Sequence, residues 1–118
     1  MEPVIDVQSA VCLRYSASFL AAPPDYKIGI SKGILADNSK MPINGLRHIT
    51  EKDTSGWYIW NGEYSEDPDF FVPLHIAHLY EICPLVVKYL GLAPGWRFVA
   101  DNNGYEDVWH DKSLLISK

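Results

Sequence analysis

Trp96-Arg97-Phe98-Val99-Ala100-Asp101-Asn102-Asn103-Gly104-Tyr105-Glu106-Asp107-Val108-Trp109-His110 is the stretch that decides the fold. Side chains alternate across a strand, and both halves of this stretch alternate on either side of Asn103-Gly104. Asn-Gly favours a type I′ turn because that turn needs positive φ at both central residues. The segment therefore predicts an antiparallel hairpin, with Phe98 among the inward positions.

Upstream of the hairpin, Pro73 suits the first position of a helix, and Ile76, Leu79, Tyr80 and Cys83 then fall at i, i+3, i+4 and i+7 on one face. Pro84 restarts a second short helix, which turns Val86, Val87 and Leu90 inward and ends at Gly91, a residue suited to a left-handed stop. Further back, Trp57-Tyr58-Ile59-Trp60 is apolar on both faces. It reads as a central strand, or as an outer strand with one face reserved for a partner. Tyr26-Lys27-Ile28-Gly29-Ile30 and Leu46-Arg47-His48-Ile49-Thr50 read as strands separated by the turn-rich Asp37 to Pro42. Val11, Leu13, Tyr15, Ala17 and Phe19 alternate with polar residues, which predicts a first strand after a flexible tail over residues 1–10. Strands are thus expected around Leu13, Ile28, Ile49, Ile59, Phe98 and Val108. The expected fold is α+β, a mostly antiparallel sheet with two short consecutive helices packed on one face.

One domain is expected from 118 residues, of which 47% are hydrophobic and 21% charged, within the globular range. The opening Met1-Glu2-Pro3-Val4-Ile5-Asp6 has neither the basic start nor the apolar run of a signal peptide, so a cytoplasmic protein is expected. Cys12 and Cys83 read as two reduced core thiols.

The formal charge of -5 is unevenly placed: residues 1–60 hold six acids and six bases, whereas the remainder holds nine acids and four bases. Phosphate binding depends on Lys and Arg, so nucleic acid is not expected as a partner, and a basic protein suits this balance better. The acids crowd in Asn61-Gly62-Glu63-Tyr64-Ser65-Glu66-Asp67-Pro68-Asp69, which must be a loop. Residues 57–71 also carry six of the 15 aromatics. Aromatic anchors beside charge are common in protein interfaces. Trp60, Glu63, Tyr64, Glu66, Asp67 and Asp69 are accordingly the candidate partner-binding residues, and no cofactor or membrane contact is expected. Trp57 and Trp60 should point to opposite faces of their strand, which places at least one beside the loop.

Two catalytic patterns compete with this reading. Gly29-Ile30-Ser31-Lys32-Gly33 matches the G-x-S-x-G nucleophile elbow, but the few residues before the next turn leave no room for the helix that motif requires. His75 and His78 stand a helical turn apart with Glu81 beyond them, yet neither a third nor a fourth metal ligand is visible. A small metal-dependent or hydrolytic enzyme using these residues is therefore the lesser reading.

From about Tyr26 to His110 the chain resembles the immunity protein thirty-three family of bacterial polymorphic toxin systems. The resemblance lies in Ile30-Ser31 with Ile34-Leu35, Arg47, Asp53 with Ser55-Gly56-Trp57, and Gly62-Glu63 leading to Asp67-Pro68-Asp69. Pro84, Leu90, Pro94-Gly95 and Phe98 complete it. It implies a small cytosolic protein without enzymatic activity that occupies a cognate toxin and protects the producing cell. A regulatory or adaptor module using the same surface is the alternative.

Overall fold

The computed structural model describes residues 4–116, arranged about one six-stranded sheet. In chain order the elements are α1 (Val4–Arg14), β1 (Lys27–Ser31), α2 (Lys32–Ala36), β2 (Ile43–Arg47), β3 (Thr54–Asn61), β4 (Phe71–His75) and α3 (Ile76–Ile82). A 3₁₀ segment (Pro84–Tyr89), β5 (Trp96–Ala100), β6 (Glu106–His110) and a 3₁₀ turn (Lys112–Leu115) complete them. The strand order is β4-β1-β3-β2-β5-β6. Only the β1–β3 pair is parallel; every other neighbour is antiparallel. The α+β class is as expected, with Trp57 to Trp60 on a central strand.

One face of the sheet carries the core. Ile28, Ile30, Ile43, Trp57, Ile59, Phe98 and Val108 meet Val11 and Cys12 of α1, Ile34 of α2, Ile76 and Leu79 of α3, and Val86 and Tyr89 of the 3₁₀ segment. The period of two sends alternate strand residues to this face, and the helices cover it. Cys12 and Cys83 are buried free thiols, and burial raises the pKa of both.

Several local expectations are overturned. Residues 4–10 belong to α1, not to a tail, and residues 1–3 lie outside the described residues. The strand expected over Val11 to Phe19 is the end of the same helix. Val4, Val7, Gln8, Val11, Cys12 and Tyr15 follow the helical period, which a window opening at Val11 misses. Leu13, expected inward, is 80% exposed. The helix stops at Ser16, whose φ is 57°. Ala17 N–H donates to the Cys12 carbonyl and Ser16 N–H to that of Leu13, the pairing of a Schellman cap.

Pro73 lies inside edge strand β4, opposite Gly29, where a residue without an N–H is tolerated. The helix starts three residues later at Ile76. Tyr80 faces outward and Val87 is half-buried, whereas Ile76, Leu79, Leu90 and Phe98 are buried as expected. The second helix takes 3₁₀ geometry, and Gly91 is not left-handed; Phe19 and Gln8 crowd the place where its Cβ would sit. The strand expected around Ile49 lies earlier, at Ile43–Arg47, and leaves Ile49 exposed. At the hairpin only Gly104 has positive φ, so the turn is not type I′. The Asp101 carboxylate instead accepts from the N–H groups of Asn103 and Tyr105 at 2.8 and 3.0 Å, closing a longer loop.

Helix α1 is pinned to the sheet by Glu106 of β6. Its carboxylate accepts from the Tyr15 hydroxyl, from the Tyr89 hydroxyl at 2.7 Å and from Arg14 Nη1 at 3.0 Å. Burial alone would raise the Glu106 pKa, but the two tyrosine bonds and Arg14 outweigh it and hold it below the ordinary carboxylate value. A depressed folded pKa means that Glu106 contributes stability fully above its unfolded pKa and loses it as pH falls through the folded value. Glu106→Gln should therefore cost about 1–3 kcal/mol at pH 7, with the difference from wild type shrinking below about pH 4.3. Urea midpoints at pH 7 and pH 3 measure it, and an equal loss at both would reject this role. The Tyr15 pKa is raised chiefly by its bond to Glu106, and that of Tyr89 chiefly by burial, so their contributions are lost as pH rises through the alkaline range.

Candidate functional site

The sheet's second face is aromatic. Trp60 and Tyr58 share it by the period of two, opposite Asn44 and Leu46 of β2. Trp60 is 6% exposed yet lies outside the core cluster, because what covers it is not a helix but the loop after β3. Tyr64 of that loop turns back so that its ring meets Trp60 edge-on at 5.3 Å, and Phe71 approaches both. Phe71 also lies against Tyr58 at 5.1 Å and Phe70 at 4.8 Å. Edge-to-face contacts of this kind are the preferred aromatic geometry and fix the loop on the sheet.

The two tryptophans do point to opposite faces, and both are buried. Trp57 goes to the core, where its indole N–H donates to the Leu90 carbonyl at 3.0 Å. Trp60 goes to the aromatic face but is roofed, so the aromatics this face presents to solvent are Tyr64, 55% exposed, and Tyr58, 37% exposed.

Glu63, Glu66, Asp67 and Asp69 are all exposed on this loop. None of them takes part in an ion pair among the described residues. Asp67 has a structural duty as well, since its carboxylate accepts from Asp69 N–H at 2.8 Å while its own N–H donates to Ser65 Oγ at 3.1 Å. The base of the loop is held by Asn61, whose amide donates to the carbonyls of Asp37 and Lys40 at 2.9 and 3.2 Å. The acids are thus displayed from a tethered loop rather than a free tether, which lowers the ordering cost of binding.

The structure adds Leu46, His48, Tyr58 and Phe71, which the sequence reading did not place in the site; with Tyr64 they line a hollow of about 170 Å³. Tyr58 could have been found from Trp60 by strand period; His48, Leu46 and Phe71 required the register. Across Tyr58 lies a second hollow of about 210 Å³, bordered by Lys27, Thr54 and Pro73 among others. On the helical side an apolar groove of about 590 Å³ runs between Val4 and Val7 of α1 and Tyr80, Pro84, Leu85 and Val87.

The catalytic patterns take other roles. A five-residue helix does follow Ser31, contrary to expectation, but Ser31 is fully buried and its Oγ accepts from Ile34 N–H at 3.2 Å as the cap of α2. A nucleophile elbow needs an exposed serine. His75 ends β4 and His78 lies on α3, with ring centroids 6.2 Å apart. Among the described residues no group of three or more His, Cys, Asp or Glu side chains is placed to hold a metal ion. No described helix is long and apolar enough to cross a membrane.

Arg47 is the buried charge of the fold, 1% exposed. It donates from Nε to the Ser55 carbonyl at 2.9 Å and from Nη1 to those of Leu20 and Leu92 at 2.7 and 2.8 Å. Longer bonds reach Leu90 and Ala21, both at 3.3 Å. Its guanidinium also lies over the Trp57 ring. Burial lowers its pKa to about 10, which leaves it charged at neutral pH.

A comparison with protein families matches the Imm33-like domain over residues 7–111, a span that takes in most of α1 and ends just after β6. No curated protein and no solved structure matches the chain.

Proposed function

The chain belongs to the Imm33-like family, and from that premise we propose that it is a bacterial immunity protein that binds and neutralises a cognate toxin in the cytoplasm, without catalysing a reaction. The observation that carries the binding surface is the tethered loop that displays, beside an aromatic sheet face, four carboxylates with no ion pair among the described residues. A toxin with a basic docking surface complements it. Fixed aromatics supply contact area at low entropic cost, and the carboxylates speed encounter with a basic partner.

The structure selects the residues for the test. Glu63 and Glu66 make no side-chain hydrogen bond among the described residues, so neutralising them leaves the loop's internal bonds in place. Glu63→Gln/Glu66→Gln should slow association with the cognate toxin roughly tenfold at low salt and flatten its salt dependence, with dissociation little changed. Stopped-flow kinetics at two ionic strengths measure this. Wild-type association at both strengths would remove the acidic loop from the interface.

A further inference from the structure

We infer that the hollow lined by Leu46, His48, Tyr58, Tyr64 and Phe71 is a socket for one arginine side chain of the toxin. This rests on the reading of the aromatic face as the toxin-binding surface and names the chemistry that it recognises.

Size comes first. At about 170 Å³ the hollow lies well below the roughly 300–1,000 Å³ of pockets that enclose small-molecule ligands, and it suits a single long side chain. Its walls come next. Tyr58, Tyr64 and Phe71 are arranged about it with Tyr58–Phe71 and Tyr64–Phe71 centroids 5.1 and 6.1 Å apart, while Leu46 supplies an aliphatic wall. Aromatic faces attract a guanidinium through the ring quadrupole, and the aliphatic wall suits the methylene stem.

The walls are preformed. The Tyr58 ring rests on Gly29, where any Cβ would come within 2.4 Å of it, and His48 meets Tyr58 edge-on at 5.7 Å. Charge decides the occupant. The chain segment that supplies Tyr64 also carries Glu63 and Glu66 on either side of it, and Asp69 precedes the Phe70-Phe71 pair. A cation approaching the socket is thus attracted by exposed carboxylates of the segment that supplies its walls, whereas an acidic side chain would be repelled. The hollow across Tyr58 lacks this preference, since Lys27 borders it and is already paired with Asp53 at 3.2 Å.

The test uses the full chain and three blocked tripeptides, glycine-arginine-glycine, glycine-citrulline-glycine and glycine-leucine-glycine. Each is titrated against the isotope-labelled protein at one fixed pH and followed by amide chemical shifts. The arginine peptide should shift the amides of His48, Tyr58, Tyr64 and Phe71 and bind about fivefold or more tightly than the citrulline peptide. Tyr58→Leu keeps an apolar wall but removes a π face, and should abolish that preference while urea unfolding stays close to wild type. Citrulline or leucine binding as well as arginine, a preference that survives Tyr58→Leu, or no shift at these residues would each overturn the socket. No toxin enters this titration, so its failure is separate from a failure of protection in cells, which would strike the immunity reading itself.

Discussion

Arg47→Met is expected to destabilise the fold by about 3–5 kcal/mol. The guanidinium is buried without a carboxylate; carbonyl oxygens of Leu20, Ser55, Leu90 and Leu92 provide its negative surroundings. Those carbonyls come from the segment after α1, from β3 and from the turn leading to β5; an antiparallel bridge between Phe19 and Leu92 joins the first of these to the last, and Arg47 ties both to β3. Methionine fills much of the space but donates nothing, and each buried carbonyl that loses its only donor costs about 1–3 kcal/mol. Leu90 is partly protected because the Trp57 indole also donates to it. Arg47→Lys should recover less than half of the loss, since an ammonium cannot reproduce the planar fork. Urea midpoints give the answer. A cost below about 1.5 kcal/mol for Arg47→Met would show that water or neighbouring groups satisfy these carbonyls without Arg47.

Phe98→Ala should cost about 3–5 kcal/mol, for a reason that involves its partner on the next strand. The Phe98 ring stacks on Tyr89 at 4.5 Å with planes 16° apart and lies 5.6 Å from Trp57. It also occupies the space above Gly45, where a Cβ would come within 2.2 Å of its edge. Gly45→Ala alone should therefore overpack the core and cost about 1–3 kcal/mol. With Phe98→Ala already present the clash is gone, and the added methyl fills part of the void. The double variant should be no less stable than Phe98→Ala alone, a coupling of about 1 kcal/mol or more. Simple additivity in a denaturant double-mutant cycle would mean that the two side chains do not share this space.

What the sequence revealed of the fold depended on whether neighbouring residues carried the signal. The β5–β6 hairpin, the central strand at Trp57 to Trp60 and the consecutive helical segments rest on local periodicity. The first helix was hidden because Val11 to Phe19 also alternates, and only residues 4–8 restore the helical period. Pro73 misled because the same residue suits a helix start and an edge strand, and the choice lies with its partner Gly29 across the sheet. Inward positions of β2 are Ile43, Gly45 and Arg47, and a glycine and an arginine do not read as core. The packing of Phe98 and the carbonyls around Arg47 explain them.

The candidate site was legible as chemistry and not as shape. Charge and aromatic clustering singled out Trp60, Glu63, Tyr64, Glu66, Asp67 and Asp69. That Tyr64 folds back to roof Trp60, and so becomes a presented ring itself, depends on which face the loop returns to. His48, Leu46 and Phe71 join the site only through strand register. The residues of the family pattern divide similarly: Arg47, Ser55, Trp57 and Leu90 meet in the buried carbonyl cluster, whereas Glu63, Asp67 and Asp69 lie on the exposed loop. One group builds the scaffold and the other is displayed by it.

As proposed, this chain protects a cell by occupying a toxin through its aromatic, acidic face. Growth of bacteria that express the cognate toxin tests this. Three cultures are compared: toxin alone, toxin with the wild-type chain, and toxin with a Glu63→Gln/Tyr64→Ala/Glu66→Gln variant whose folding and expression match wild type. Growth should be arrested with toxin alone and restored with the wild-type chain, and most of that protection should be lost with the variant. Continued arrest in the presence of the wild-type chain would contradict the immunity function, and full protection by the variant would contradict the assignment of the face.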